Sequence, residues 1–211
     1  MHQIMDVNGG VVHSEREYDI AENTNVTVGA LVKLSEGLVV QAAAGETGAV
    51  LGITAEAHTG AEDALNSRSN GRKIIVRDGP GAIFACPAPV VEADAGGSAT
   101  SVKFTGASGM GADAFNGGYI KDKTGAVRRI TDTAESTGAY TLTVESGAVI
   151  AENETFVLYP PVGFSKGNLS ADGTGVVLSA TAALSIKVVG RDEAAGEVWL
   201  MAAKHALGNG Q

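Results

Sequence analysis

The sequence predicts an all-β protein: a β-barrel or sandwich-like domain, a second small antiparallel β domain inserted into it, and an extended N-terminal arm. Three observations carry this. Short β-branched runs recur along the chain, its 29 glycines fall between them, and aromatic residues make up only 5% of it, a profile of many tight turns and small side chains. With 211 residues, 44% of them hydrophobic, the chain can bury a real core and is not of the disordered class.

Residues 1–20 mix methionines, histidines and charges (HSEREYD) without sustained periodicity and are predicted to form the extended arm. From Val26 the pattern changes to VTVGALVKL, GLVVQAA and AVLGITAEA, punctuated by Gly37, Gly45 and Gly48 and predicted as hairpins. Residues 58–71 are polar and rich in turn formers. RKIIVRDGPGAIFACPAP follows, predicted as a further hairpin turning at Asp78, Gly79, Pro80 and Gly81. Pro87 and Pro89 close its second strand, because neither can donate to a central ladder.

VVEADAGGSATSVKFTGASGMGADAF is rich in Gly, Ala and Ser and is predicted as a connector. Beyond it, GGYIKD, AVRRITDT, AYTLTVES and ETFVLYPP are predicted strands, turning at Thr124 and Gly125, at Ser136 to Gly138, and around Gly147. Tyr140, Leu142 and Val144 alternate with Thr141, Thr143 and Glu145, so one face is core and the other faces solvent or a partner. After Pro160, Pro161 and Gly167 the chain returns to its first style in GVVLSA, ALSIKVVGRD and EVWLMAAKH, with Ile186, Val188, Val198 and Leu200 as core candidates. Residues 21–97 and 166–211 are thus expected to form the main β domain and residues 98–165 the inserted one; two β domains in series are the alternative. No fixed repeat period is present.

A net charge of −9 and a pI near 4.9 argue against nucleic acid or an anionic membrane as partner. No apolar stretch approaches the roughly 20 residues of a membrane span, and the N-terminus lacks the basic and apolar blocks of a signal peptide, so the chain is expected in a bacterial cytoplasm or a particle assembled there. Asn-x-Ser/Thr matches at Asn25, Asn153 and Asn168 mean little without secretion. Cys86, the only cysteine, is expected to be a buried, inert thiol.

The search for chemistry predicts no catalytic residues, no cofactor and no metal. GASGMGA at 106–112 superficially resembles a phosphate cradle but lacks the GK[ST] ending and a following helix. His2, His13, His58 and His205 are far apart in the chain and are expected at the surface or termini. Asp192 and Glu193 are expected to shape a turn, Ser108 lacks the spacing of a nucleophile elbow, and Trp199 alone is a weak sugar platform.

TVGALVKLSEGLVVQAAAGETGAVLGITAEA resembles the opening strands of tailed-bacteriophage capsid decoration (head cement) proteins, which end on G-[IV]-[TA]-x-[ED]-A, here Gly52, Ile53, Thr54, Ala55, Glu56 and Ala57. VVGRDEAAGEVWLMAAKHALGN looks like the closing hairpin of such proteins, and the middle strands are similar to modules of virion surface proteins. The resemblance implies a non-enzymatic virion protein bound outside an assembled shell, with the major capsid protein as partner and a homotrimer as the favoured oligomer. Tyr18 and Ile20, on the expected arm, are the candidate capsid or subunit contacts. A tail, head-fibre or base-plate protein is the nearest alternative, and a carbohydrate-binding module or hydrolase a more distant one.

Overall fold

A computed structural model of the chain describes residues 1–6, 14–43, 48–60, 73–169, 174–183 and 186–207. Gly45, His13 and most of the polar 58–71 stretch lie outside the described residues. The architecture is all-β. In chain order the strands are β1 (His2–Asp6), β2 (Glu15–Asp19), β3 (Leu31–Ser35), β4 (Leu38–Gln41), β5 (Gly52–Thr54) and β6 (Lys73–Arg77). Then come β7 (Ala82–Pro87), β8 (Val90–Glu92), β9 (Ser101–Thr105), β10 (Tyr119–Lys121), β11 (Val127–Ser136) and β12 (Ala139–Val144). The last are β13 (Thr155–Tyr159), β14 (Lys166–Leu169), β15 (Val176–Ala183), β16 (Ile186–Asp192) and β17 (Glu197–Ala202).

A five-stranded sheet, ordered β2-β6-β5-β3-β4, packs against a four-stranded sheet, ordered β1-β7-β17-β16. Leu31 and Ile53 from the first meet Phe84, Cys86, Val188, Val198 and Leu200 from the second in one buried cluster. The opposite face of the five-stranded sheet is buried too. Its edges curl until Ile20 bridges Val39, short of a closed barrel, and Val32, Val39, Leu51, Ile74 and Val76 fill the inside of the curl. In the edge strand β4 the non-alternating run Leu38-Val39-Val40 buries only Val39, while Leu38 is exposed. The β3–β4 hairpin closes through Glu36 (φ 52°) and Gly37 (φ 83°), a two-residue loop whose positive dihedrals match strand twist.

A six-stranded sheet, ordered β8-β13-β10-β11-β12-β9, is built from the continuous segment Val90–Tyr159 around its own core. Its four central strands are those predicted, and Tyr140, Leu142 and Val144 are buried as their alternation implied. Phe104 stacks on Tyr140 with centroids 4.9 Å apart, and Phe115 and Phe156 meet Phe104 at tilted or edge angles, contacts worth about 0.5–1.5 kcal/mol each beyond area burial. β14 and β15 pair as a separate two-stranded ribbon. Where the two larger units meet, Tyr159 joins the sandwich core, the Arg191 guanidinium lies 3.6 Å above the Tyr119 ring, and Lys121 Nζ donates to Glu193 O at 2.6 Å.

Three expectations need correction. Of the expected arm, neither described segment is free: β1 pairs with β7 and β2 with β6, because strand pairing satisfies backbone groups that a free arm leaves to water. β6 and β7 are not a hairpin, since the chain leaves one sheet at Asp78 and enters the other at Ala82. The Gly/Ala/Ser-rich connector contains both edge strands of the six-stranded sheet; in β9, Val102 and Phe104 alternate inward with Ser101, Lys103 and Thr105.

Candidate functional site

The two predicted contact residues sit in the fold rather than on an arm. Ile20 is 3% exposed within the curled sheet, so it has almost no surface for a partner. Tyr18 is half-buried and its hydroxyl donates to Asp78 Oδ2. Burial, then the Asp78 hydrogen bond, pushes its phenol up to about 12. Asp78 is fully buried and also accepts from Ser14 Oγ at 2.8 Å, while its N–H donates to Ser14 O at 3.0 Å. Arg16 Nε lies 3.5 Å from the same carboxylate. This knot ties β2 to the point where the chain changes sheets, and so turns a predicted hairpin loop into a crossing.

Four positions of the Gly52–Ala57 element that carries the resemblance, Gly52, Ile53, Thr54 and Glu56, have structural roles. A Cβ on Gly52 would lie 1.9 Å from Arg77 O, so only glycine lets β5 and β6 approach this closely. Ile53 is in the sandwich core. The buried Thr54 hydroxyl donates to Thr27 O at 2.6 Å and accepts from the Ala30 N–H at 3.2 Å. Glu56 Oε1 accepts from the Ile75 N–H at 2.9 Å.

The glycine loop at 106–112 does cradle an anion, and the anion is the chain's own. Gly109 (φ 93°) and Gly111 (φ 97°) aim their N–H groups at Glu135 Oε1 and Oε2, at 2.6 and 2.8 Å. Convergent amides of this kind form a nest. The Gly109 N–H leads the contacts that hold the Glu135 carboxyl below its ordinary value, against a smaller opposing effect of burial. Tyr140 Oη donates to Ala107 O at 2.7 Å and accepts from the Met110 N–H at 3.2 Å, pinning the loop over the aromatic core.

Other carboxylates do similar duty. Asp192 Oδ1 accepts from the Ala194 and Ala195 N–H groups, both at 2.9 Å, shaping its turn as predicted. Asp122 Oδ1 accepts from the Thr124 N–H at 2.9 Å, the Thr124 hydroxyl at 2.6 Å and the Ala126 N–H at 3.1 Å, while Oδ2 lies 3.5 Å from Arg128. Burial alone would raise the Asp122 carboxyl, but these donors and the Arg128 charge outweigh it and hold it low.

Cys86 is fully buried, as expected, and burial pushes its thiol up to about 11. His205 departs from expectation: it is 7% exposed, bridges to Val50, and accepts the Leu207 N–H on Nδ1 at 3.1 Å. Burial lowers its pKa, so the imidazole is neutral near pH 7. The signal for it was the apolar run preceding it in the closing hairpin. Among the described residues no three His, Cys, Asp or Glu side chains gather where a metal could bind, and no helix is long and apolar enough to cross a membrane.

A cleft of about 410 Å³ opens at the seam of the six-stranded sheet, lined by Pro89, Val90, Glu92, Phe104, Thr105 and, from β15, Val177. Val90 and Val177 are 66% and 47% exposed there. The sequence had marked this region as a connector, which hid both of its edges.

The fold and this seam define an all-β protein with a curled five-stranded sheet and a cleft at the edges of its six-stranded sheet. Comparison with protein-family models, with curated proteins and with solved structures finds no match to the chain.

Proposed function

We propose that the chain is a non-enzymatic structural protein of a tailed-phage particle, binding the outer surface of the capsid through the major capsid protein and stabilising the shell. The observation that carries this is the placement of the Gly52–Ala57 element. The residues that resemble head decoration proteins occupy the centre of the curled sheet, where Gly52, Thr54 and Glu56 each hold the curl together. A motif with that role marks a shared way of folding, which is the level at which the resemblance speaks. The net charge of −9 fits a surface that stays soluble and avoids packaged DNA. A homotrimer seated at three-fold positions is the favoured assembly.

Light scattering of the purified protein, followed by sedimentation with expanded phage heads that lack it, tests the proposal. Saturable co-sedimentation with a rise in head melting temperature is the expected result. Binding to tails or glycans, with none to heads, would overturn it.

A further inference from the structure

The cleft at the seam of the six-stranded sheet is an unfilled strand position. Ladder parity establishes which backbone groups face it. Leu158 donates to Pro89 O and Ala93 donates to Glu154 O, both at 2.8 Å, so residues 89, 91 and 93 face β13. Strand backbones alternate, so the N–H and C=O of Val90 and Glu92 face the opposite way. On the other edge, Gly106 donates to Gly138 O at 2.8 Å and Val144 donates to Thr100 O at 2.9 Å, so the even residues of β9 face β12 and Thr105 faces the seam.

The two edges run antiparallel and meet once. Asp94 N–H donates to Lys103 O at 2.8 Å, and beside it the Thr105 hydroxyl donates to Asp94 Oδ2 at 2.8 Å. Continuing that register would pair Glu92 with Thr105 and Val90 with Ala107, but there the edges part and the cleft opens. Its walls are Pro87, Pro89, Val91 and Phe104 on the sheet side and Val176 to Leu178 on the ribbon side. Pro87 and Pro89 have no N–H to offer, which limits the available edge to Val90–Glu92.

We infer that this seam accepts an extended strand from a different protein, adding to the β8 edge by backbone hydrogen bonds to Val90 and Glu92. Strand addition of this kind takes affinity from the main chain and specificity from pockets for alternate side chains. The walls call for small apolar side chains at alternate positions. Among the described residues Glu92 is the only charged one lining the cleft, on a chain of net charge −9, so the incoming strand carries a lysine or arginine beside it. A second copy fits poorly. It brings the same acidic charge, and its basic edge strand β16 is capped at Val188, which donates to Phe164 O and accepts from the Gly163 N–H. β1 and β2 are paired inside the fold, so neither is available for this chain to donate. The cleft has this chemistry whether or not the partner is a capsid.

The test is by amide NMR with a capped synthetic peptide of alternating Val and Lys. In the free protein the Val90 and Glu92 amides exchange with solvent at least tenfold faster than Val91. Peptide addition shifts and protects Val90, Glu92 and Thr105 saturably. Binding weakens at least tenfold for a peptide with Glu in place of Lys, for a backbone N-methylated peptide, and for E92K. V90P, which removes an outward donor and leaves the β13 ladder whole, also weakens it, and unchanged Val91 protection in both variants certifies their fold. Equal protection of Val90 and Val91 in the free protein, no shift at millimolar peptide, or equal binding of the N-methylated peptide overturns the inference. A fall in solution mass on E92K would assign the seam to a second copy and overturn it as well.

Discussion

Replacing Asp122 by asparagine isolates one charge in the core end of the six-stranded sheet. The Asp122 and Arg128 side chains are 6% and 5% exposed, with Oδ2 and Nη2 3.5 Å apart. At that separation and an effective dielectric near 20, the gross attraction is about 5 kcal/mol. The two ends are not equivalent. Asparagine at 122 can still accept from Thr124 and Ala126 through its carbonyl oxygen, whereas the Arg128 guanidinium makes no hydrogen bond to any other described residue. Asp122→Asn therefore strands a buried cation, at a cost of about 3–5 kcal/mol. That corresponds to a fall of about 6–20 °C in Tm at roughly 2–4 °C per kcal/mol for a chain of this size.

Arg128→Met leaves a carboxylate that keeps its three donors, so its cost stays below about 2 kcal/mol, and the double variant is less destabilised than the sum of the two. The pH dependence has a definite sign. The folded carboxyl lies below its unfolded value, so its stabilisation is complete above about pH 4 and disappears as pH falls through the folded pKa. Asp122→Asn removes that acid limb. Calorimetry and urea titration at pH 7 and pH 3 measure all three variants. A loss under about 1 kcal/mol for Asp122→Asn, or a larger loss for Arg128→Met, refutes the reasoning.

Glu135→Ala empties the glycine nest, so the Gly109 and Gly111 amides exchange at least tenfold faster by NMR; the wild-type loop loosens the same way as pH falls through the depressed Glu135 pKa, and stays closed above about pH 4. Gly52→Ala forces a methyl against the Arg77 carbonyl and costs about 3 kcal/mol or more, read from urea midpoints. Ile20→Ala costs about 2–4 kcal/mol because the side chain is core, whereas on a free arm it would cost nothing. Cys86, its thiol pushed up to about 11, stays unreactive to a disulfide reagent at pH 8 until the protein is unfolded in urea.

The strands with alternating or continuous apolar runs were legible because their side-chain periodicity is a local property. The four central strands of the six-stranded sheet and the last two strands of the sandwich all fall in the predicted runs. What was not legible depends on contacts far apart in sequence. The knot joining Ser14, Tyr18 and Asp78 spans more than sixty residues, and without it Asp-Gly-Pro-Gly looks like any tight turn. β8 and β9 were hidden for another reason: the Gly, Ala and Ser around them supply turns within the sheet's own edges. On the β8 side of the cleft the free edge is Val90 and Glu92, and two valines beside two prolines carry no pattern that distinguishes a receptor edge from a strand end.

The acidic residues connect these points. A chain with many glycine turns and no helix among its described residues leaves backbone N–H groups in its loops without ladder partners, and each needs an acceptor. Glu56, Asp122, Glu135, Glu154 and Asp192 supply acceptors to N–H groups in five separate places. Part of the acid excess therefore also serves as scaffolding for the loops. The carboxyls of Asp122, Glu135 and Glu154 are all held below their ordinary values, so each loop they hold is fixed at neutral pH and released in acid. Acid should accordingly loosen the three loops that Asp122, Glu135 and Glu154 hold, all of them in the six-stranded sheet, an order of events set by where these carboxylates sit and not by net charge.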